Sequence, residues 1–432
     1  MKIEKGIAKN MELVGYHDME DKPGMQMAMQ VVNDRWYLYI AHWYHRGWSI
    51  MDVTDPSAPK YLKFIPDPGG KPATFTIKIQ VANGIMITQM QQRISVFFGN
   101  PPDAPFDEGI YIWDVKDPEN PKRLGHWKTG SIGTHRNYYD GGRYVHLSAG
   151  CPGFSGNIYR IVDIIDPTHP VEAGRWWLPE QYWAGGVPNP GPGYGPLGKY
   201  FLHGPPYPKG DKVYLSYHGV GLVIVDISDI TLPKFVGKLQ TSPPLGGQSP
   251  TCHTVLPLAK RKLALMTSEG RRIPVIGQGS LQGSPLIPLN FIGMVDVSDE
   301  TNPTLIAIFP IPEPPPGSPY KNFSETKKVG VYGFGPHNLH EPHNHPDLED
   351  RDDRIYATYF SAGVRVYDIS DPYLPKEIAY YIPPDPKKWA WQHPAGFGGD
   401  LRATSEDILV DKRGYIYVTE MQQGLHILRC TM

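Results

Sequence analysis

The stretch Gly221-Leu222-Val223-Ile224-Val225-Asp226, followed by Asp229 and Pro233, decides the fold of this chain. It is an apolar, β-branched run that ends in Asp, with a second Asp three residues later and Pro four residues beyond that. A unit that recurs along a whole chain sets its architecture before any single residue is considered. Six copies occur, at Asp52/Asp55/Pro59, Asp114/Asp117/Pro121, Asp163/Asp166/Pro170, Asp226/Asp229/Pro233, Asp296/Asp299/Pro303 and Asp368/Asp371/Pro375.

The polar half of each copy is typical of a turn. Asp side chains accept hydrogen bonds from nearby backbone N–H groups, and Pro presets φ. Paired aspartates also suggest calcium, but their strict coupling to the following Pro favours a turn. The apolar runs between these turns are short and rich in β-branched residues, which predicts strands. Repeats of about 40–50 residues with four strands each are typical of propeller blades.

The two ends of the chain predict the number of blades. A seventh set of strands, 415–418 and 425–428, stops before its last strand. The segment 11–15 resembles the outer strands at 122–125 and 234–237. An N-terminal strand at about 11–17 would therefore complete the C-terminal blade and remove an exposed sheet edge. We predict an all-β, seven-bladed β-propeller that forms a single domain over residues 1–432.

The phrase at 221–226 resembles the LVIVD-repeat proteins, which are predicted bacterial propellers. Variants of it stand at Gly363-Val364-Arg365-Val366-Tyr367-Asp368 and at Gly47-Trp48-Ser49-Ile50-Met51-Asp52. The resemblance extends over nearly the whole chain and implies the propeller fold. It implies little about function, because many such proteins have no assigned activity and propellers support unrelated chemistries.

Composition excludes several classes of partner. The formal net charge of −2 offers no field for nucleic acid or an anionic membrane. No segment is long and apolar enough to span a bilayer, and residues 1–6 lack the apolar core of a signal peptide. The three cysteines form no disulfide framework. We therefore expect a cytoplasmic protein with neither nucleic-acid nor membrane partners.

Aligning the repeats reveals a column of histidines. His135, His203, His253 and Glu406 each stand nine residues before the second strand of their blade. Innermost strands begin near the axis of a propeller, so these side chains are expected to converge there. In the sixth blade His337 matches best by its local sequence, with His340 and His345 as alternatives.

Converging imidazoles predict a metal site. The proposed ligands are His135, His203, His253 and His337, and neutral imidazole binds several divalent transition metals. We favour Fe(II), with Cu, Zn or Mn as alternatives. The simpler interpretation is that each His is satisfied by backbone or water. In the first two blades the equivalent positions are Ala28 and Phe75, so an apolar wall is expected opposite the ligands, which suits a small organic substrate.

Residues at the ends of the second strands are expected around the same mouth. Among them, Glu269, Glu420 and His218 are candidate catalytic residues, together with Glu406. A metal-bound His normally donates its second N–H to a carboxylate or carbonyl, so Glu269 and Glu420 are candidate partners. The sequence leaves open whether Glu406 is a ligand or a partner of one. The aromatic segments 43–46 and 389–393 are candidate lids.

Three functions fit these observations. Four axial histidines are similar to the arrangement in carotenoid and stilbene cleavage oxygenases, by analogy of ligands alone. This favours a non-haem iron oxygenase or oxidoreductase acting on a small, apolar or aromatic substrate. The second hypothesis is a Zn- or Mn-dependent lyase or hydrolase that uses a glutamate as general base. The third is a non-catalytic propeller that binds a partner.

Overall fold

The repeats fold into a ring of seven antiparallel sheets, which confirms the all-β, seven-bladed propeller. A computed structural model describes residues 5–93, 98–187, 200–240, 252–269, 291–318, 320, 323, 334–390 and 401–432. Each sheet is one blade, and its strands follow one another outward from the axis in chain order, except where the N-terminus contributes. Short 3₁₀ turns lie at Met19–Asp21, Pro179–Gln181 and Trp183–Gly185.

The first three blades are built from consecutive strands. Blade 1 contains Gly24–Val32, Arg35–His42, Gly47–Asp52 and Lys60–Pro66. Blade 2 has an interrupted inner strand, and its strands are Thr74–Phe75, Ile79–Ala82, Ile85–Gln92, Gly109–Asp114 and Lys122–Trp127. Blade 3 contains Thr134–Tyr138, Tyr144–Gly150, Asn157–Asp163 and Val171–Trp176.

The next two blades follow the same order. Blade 4 also has a divided inner strand, and its strands are Phe201–Leu202, Tyr207–Lys209, Lys212–His218, Gly221–Asp226 and Lys234–Leu239. Blade 5 contains Thr254–Pro257, Leu263–Thr267, Ile292–Asp296 and Thr304–Ile308.

The last two blades share the N-terminal segment. Blade 6 contains Arg354–Thr358, Val364–Asp368 and Lys376–Ile382, and Ile7–Lys9 pairs with its outer strand. Blade 7 contains Ser405–Val410, Tyr415–Glu420 and Gly424–Cys430, and Met11–His17 pairs with the last of these. The predicted closure of blade 7 by residues 11–17 is therefore confirmed. The additional strand on blade 6 was not predicted.

The aspartates of the repeat are turn devices, as their coupling to Pro indicated. In every copy each of the two Asp accepts a hydrogen bond from the backbone N–H two residues later, as Asp226 does from Ser228 and Asp229 from Thr231, at 2.9 and 3.0 Å. The same bonds occur in the other five copies. These bonds fix the chain between the third and fourth strands of each blade.

Glycines in the outer strands let neighbouring blades approach closely. A Cβ on Gly174 would lie 1.9 Å from the carbonyl oxygen of Ile230, which follows the second Asp of the next blade's turn. Equivalent contacts join Gly15 to Pro56, Gly125 to Pro167 and Gly237 to Glu300. The repeated turn is thus also the surface on which the preceding blade packs.

Candidate metal centre

The innermost strands bring the predicted histidine column to the axis. The ladder between the inner and second strand skips His135 in blade 3 and Glu406 in blade 7, so both residues lie in β-bulges. A bulge bends a strand and redirects a side chain. The backbone N–H groups of His203, His253 and His337 donate to carbonyls of their second strands instead. Local backbone geometry, repeated from blade to blade, aims these side chains inward.

The four imidazoles form a continuous arc. The ring centroids of His135 and His203 are 4.5 Å apart, those of His203 and His253 are 4.4 Å apart, and those of His253 and His337 are 4.7 Å apart. His203, His253 and His337 are buried, and His135 is half-buried. The structure therefore brings together the four histidines that the sequence predicted as ligands.

Hydrogen bonds define the tautomer of three of these rings. His135 Nδ1 lies 2.8 Å from the Gln91 side-chain oxygen, and His337 Nδ1 lies 2.7 Å from the Glu406 carbonyl oxygen. Because both partners are acceptors, each Nδ1 carries the proton and each Nε2 keeps its lone pair. This is the orientation that a metal-binding imidazole requires.

His253 reaches the same tautomer by another route. Its Nε2 lies 3.1 Å from Arg136 Nη2, and its Nδ1 lies 2.9 Å from Thr254 Oγ1. Arginine only donates, so His253 Nε2 accepts and Nδ1 carries the proton. Burial and then the positive charge of Arg136 lower the pKa of His253 well below its usual range, which keeps the ring neutral.

The most compact ligand group consists of two imidazoles and one carboxylate. One ligand atom each from His203, His253 and Glu269 lies within 4.8 Å of the other two. His203 Nε2 is 3.9 Å from Glu269 Oε2 and 3.2 Å from His135 Nε2. Ligands bound at about 2.0–2.2 Å from one ion lie at most about 4.4 Å apart, so a small adjustment of these side chains would bring them to binding distance. The residues fit a divalent transition metal, with Glu269 in the position of a ligand.

Glu406 lies behind the arc. Its Oε1 is 3.6 Å from His337 Nδ1, the nitrogen that carries the proton. The side chain is fully buried, and burial raises the pKa of its carboxyl group. This geometry is that of a partner of a ligand. The sequence left open whether Glu406 is a ligand or a partner of one, and this distance favours the partner.

The other predicted residues occupy supporting positions. The His218 ring stacks on Phe201 and lies 4.6 Å from the ring of His203. The carboxylate of Glu420 accepts hydrogen bonds from the backbone N–H groups of Thr404 and Gln422, so it orders the loop before Glu406. Glu420 was predicted as a hydrogen-bond partner of a metal-bound His, but its carboxylate accepts these hydrogen bonds from backbone N–H groups.

The alternatives to His337 belong to a different feature. His340 Nε2 lies 2.7 Å from the Glu349 carbonyl oxygen, and its Nδ1 accepts from Val410 N–H at 3.1 Å. His345 accepts a hydrogen bond from the N–H of Asp347. Both residues lie in the insertion 340–353 of blade 6, and both are used in holding it.

This insertion reaches across the far end of the axial channel. Asp347 accepts from the N–H of Val31 in blade 1, and the side chain of Gln80 in blade 2 bonds to His343. Tyr207 of blade 4 accepts from the N–H of His343. Because of these contacts with three blades in addition to its own, we call residues 340–353 the plug.

Buried charges between the histidines and the plug escaped the sequence analysis. Arg136, Glu341 and Asp407 are each at most 5% exposed, and Lys78 is fully buried. Among the described residues no hydrogen-bond acceptor lies within reach of Lys78 Nζ. Arg136 and Asp407 directly follow the column residues His135 and Glu406. Reading the position after each column residue as a second layer along the axis could have identified them.

Comparisons with known proteins agree with the repeat and the fold. The LVIVD repeat matches residues 27–65, 153–176 and 209–241. The chain carries the LVIVD repeat and folds as a β-propeller. No curated protein matches it. Among the described residues, no helix combines the length and apolar character that crossing a bilayer requires.

Solved structures similar to this LVIVD-repeat propeller support the fold alone. The β-propeller domain of Cps50 (Swd1) from Myceliophteria thermophila has a TM-score of 0.52 at 8% identity, covering 98% of this chain and 100% of that one. Hydrazine synthase from Kuenenia stuttgartiensis has a TM-score of 0.51 at 9% identity, covering 97% of this chain and 99% of that one. YCF48 bound to D1 peptide has a TM-score of 0.50 at 7% identity, covering 100% of this chain and 97% of that one.

Apolar side chains stand at two levels of this LVIVD-repeat propeller. Phe75 packs against Trp43 and Phe98, with ring centroids 5.0 Å away in both cases, and so belongs to an aromatic cluster near Gln91. Met27 and Ala28 instead line a cavity of about 20 Å³, which is bounded by Asp407 and the plug. The predicted apolar wall is therefore divided. Of the predicted lids, residues 391–393 lie outside the described residues.

Hydroxyl groups join the blades directly behind the site. Ser216 of blade 4 donates to the carbonyl of His253 in blade 5, at 3.0 Å. Thr358 of blade 6 donates to the carbonyl of Glu406 in blade 7, at 3.1 Å. Equivalent bonds run from Ser148 to Leu202 and from Thr419 to Met25. The backbones of His253 and Glu406 are thus held by the preceding blade as well as by their own.

Proposed function

We propose that this protein is a metal-dependent oxidoreductase, with Fe(II) as the favoured ion and a small apolar or aromatic molecule as substrate. The observation that carries the proposal is the group formed by His203, His253 and Glu269. Two imidazoles and one carboxylate with further positions open are the ligand set of many non-haem Fe(II) oxygenases. His135 and His337 extend the arc on either side.

The protein's own contribution is preorganisation. Gln91 and the Glu406 carbonyl hold His135 and His337 in the tautomer that leaves the lone pair on Nε2. The bound ion would supply redox or Lewis-acid chemistry. The buried carboxyl of Glu406, whose pKa is raised by burial, is suited to hold a proton beside His337. The aromatic cluster around Phe75 supports an apolar substrate.

A second candidate rests on Glu269 itself. Two His and one Glu also bind catalytic zinc in hydrolases, where a bound water occupies the fourth position. A Zn- or Mn-dependent hydrolase or lyase would use this ligand set to activate a bound water. The two candidates differ in the ion that the protein retains.

The first experiment is elemental analysis of the purified protein together with the double variant His203→Ala/His253→Ala. His169→Ala is the matched control, because His169 is exposed in a surface turn. Near-stoichiometric iron or copper in the wild type and in the control, lost in the double variant, supports the oxidoreductase. Zinc or manganese with the same pattern supports the second candidate. Absence of metal from all three proteins, also after anaerobic reconstitution, would contradict both and leave a partner-binding propeller.

A further inference from the structure

One buried guanidinium stands where an ion would bind. Arg136 is 1% exposed, and its Nη2 donates to His253 Nε2 at 3.1 Å and to Asn338 Oδ1 at 2.5 Å. With the proton on Nδ1, His253 Nε2 carries the ring's available lone pair, the one that a metal ion would use. Since one lone pair accepts either an N–H or a metal ion, these two states exclude each other.

Arginine cannot leave this position by losing a proton. Its guanidinium stays charged in proteins, even though burial lowers the pKa of Arg136. A positive charge at the ligand atom also repels a divalent ion. Binding of an ion at His253 therefore requires the guanidinium group to move.

The structure provides a second partner for that group. Glu341 Oε1 lies 3.6 Å from Arg136 Nη1, so a small shift would convert this contact into a direct ion pair. Glu341 belongs to the plug and is 5% exposed, and its other oxygen lies 3.2 Å from His343 Nε2. A buried carboxylate on a well-held segment is a suitable acceptor for a displaced arginine.

The charges around the axis are consistent with such an exchange. Two cations, Lys78 and Arg136, share this buried region with four carboxylates, which are Glu269, Glu341, Glu406 and Asp407. The carboxylates outnumber the cations, so the region favours additional positive charge, which a divalent ion would supply. Arg136 at His253 Nε2 places one positive charge beside this ligand atom.

We propose that Arg136 is a built-in competitor for the metal ion, bound to His253 Nε2 in the empty site and transferred toward Glu341 when the ion enters. This inference rests on the proposed metal centre and deepens it. Arg136 then sets the affinity and the rate of metal loading. It is a positioning residue and does not act on substrate.

The test is a competition titration with Zn²⁺ and a chromogenic chelator, with thermal unfolding as a check of folding. Arg136→Met removes the donor, and Arg136→Lys keeps the charge but not the planar fork. Breaking one charged hydrogen bond before binding weakens affinity by about 10- to 100-fold. We therefore expect Arg136→Met to bind Zn²⁺ more tightly by about that factor, and Arg136→Lys to change in the same direction by less.

Two further variants complete the design. Glu341→Gln removes the acceptor of the displaced arginine and should weaken Zn²⁺ binding. Arg365→Met is the matched control, because Arg365 is equally buried but bonds to Ala362 and Glu377 within blade 6. It should leave Zn²⁺ affinity unchanged. If Arg136→Met does not fold, Arg136→Met/Glu341→Gln removes both charges together and should still bind more tightly than Glu341→Gln alone.

The outcomes separate this inference from the proposed function. Equal or weaker Zn²⁺ binding by Arg136→Met, beside a wild type that binds, overturns the competition and leaves the metal centre intact. Binding by the variant alone supports the competition in its strongest form. Failure of every protein to bind Zn²⁺ overturns the metal centre and the inference together.

Discussion

The side chain of Gln91 offers the sharpest test of how the site is organised. Its oxygen accepts the Nδ1 proton of His135 at 2.8 Å, so His135 Nε2 carries the lone pair, 3.2 Å from His203 Nε2. Gln91→Met keeps the length of the side chain and removes the acceptor. Both tautomers of His135 then become accessible, and the Nδ1 proton loses its partner.

The size of the effect follows from this one bond. Loss of a neutral hydrogen bond costs about 0.5–1.5 kcal/mol of folding free energy. Loss of the group that orients a metal-bound His lowers metal affinity about 10- to 100-fold. Gln91→Met should therefore unfold at nearly the wild-type temperature but bind Zn²⁺ about 10- to 100-fold more weakly in a chelator competition.

Controls on the same strand isolate the cause. Gln92→Met changes the neighbouring side chain, which donates to the Pro102 carbonyl, and should leave metal affinity unchanged. Gln91→Glu restores an acceptor and should recover tight binding. Wild-type affinity in Gln91→Met would refute the reasoning, because His135 would then bind metal without a fixed tautomer or would not bind it at all.

Two further predictions concern stability. Gly174→Ala places a Cβ 1.9 Å from the Ile230 carbonyl oxygen, so thermal unfolding should show a loss of about 1–3 kcal/mol of folding free energy. The control Gly142→Ala, whose Cβ would meet only a flexible carboxylate, should have little effect. Equal melting temperatures would show that the blades need no such close contact. Burial, followed by the charge of Asp107, raises the pKa of Asp67 to about 6. The folded protein therefore favours protonated Asp67, and this contribution to stability is complete below about pH 4 and is lost as the pH rises through 6. Asp67→Asn should therefore stabilise the protein above pH 6, on the order of 1 kcal/mol after solvent screening is considered, and not near pH 4; a gain that is independent of pH would exclude this cause.

Much of the fold was readable because each blade repeats the same local chemistry. Asp226 and Asp229 bond to N–H groups two residues away, so their turn depends on neighbours in sequence. The strand 11–17 was identifiable because it carries the pattern of the other outer strands. The strand Ile7–Lys9 carries no such pattern, and its place depends on the free edge of blade 6.

The histidine arc was predictable for the same reason. Equivalent positions in a ring of repeats meet at the axis, so His135, His203 and His253 could be aligned by counting, and His337 by its local sequence. The arrangement of the carboxylates could not. Glu406 shares the column position, yet it lies on the Nδ1 side of His337, while Glu269, from the end of a second strand, joins the compact ligand group.

By itself, the sequence determined the seven blades, their closure and the residues that face the axis, because these features arise from turns, strand pairing and a periodic register. Only the tertiary structure decided which atoms face a common centre. Arg136 at His253, Gln91 at His135 and Glu341 on the plug come from different blades. Their meeting depends on side-chain direction and on contacts between blades, which no spacing along the chain records.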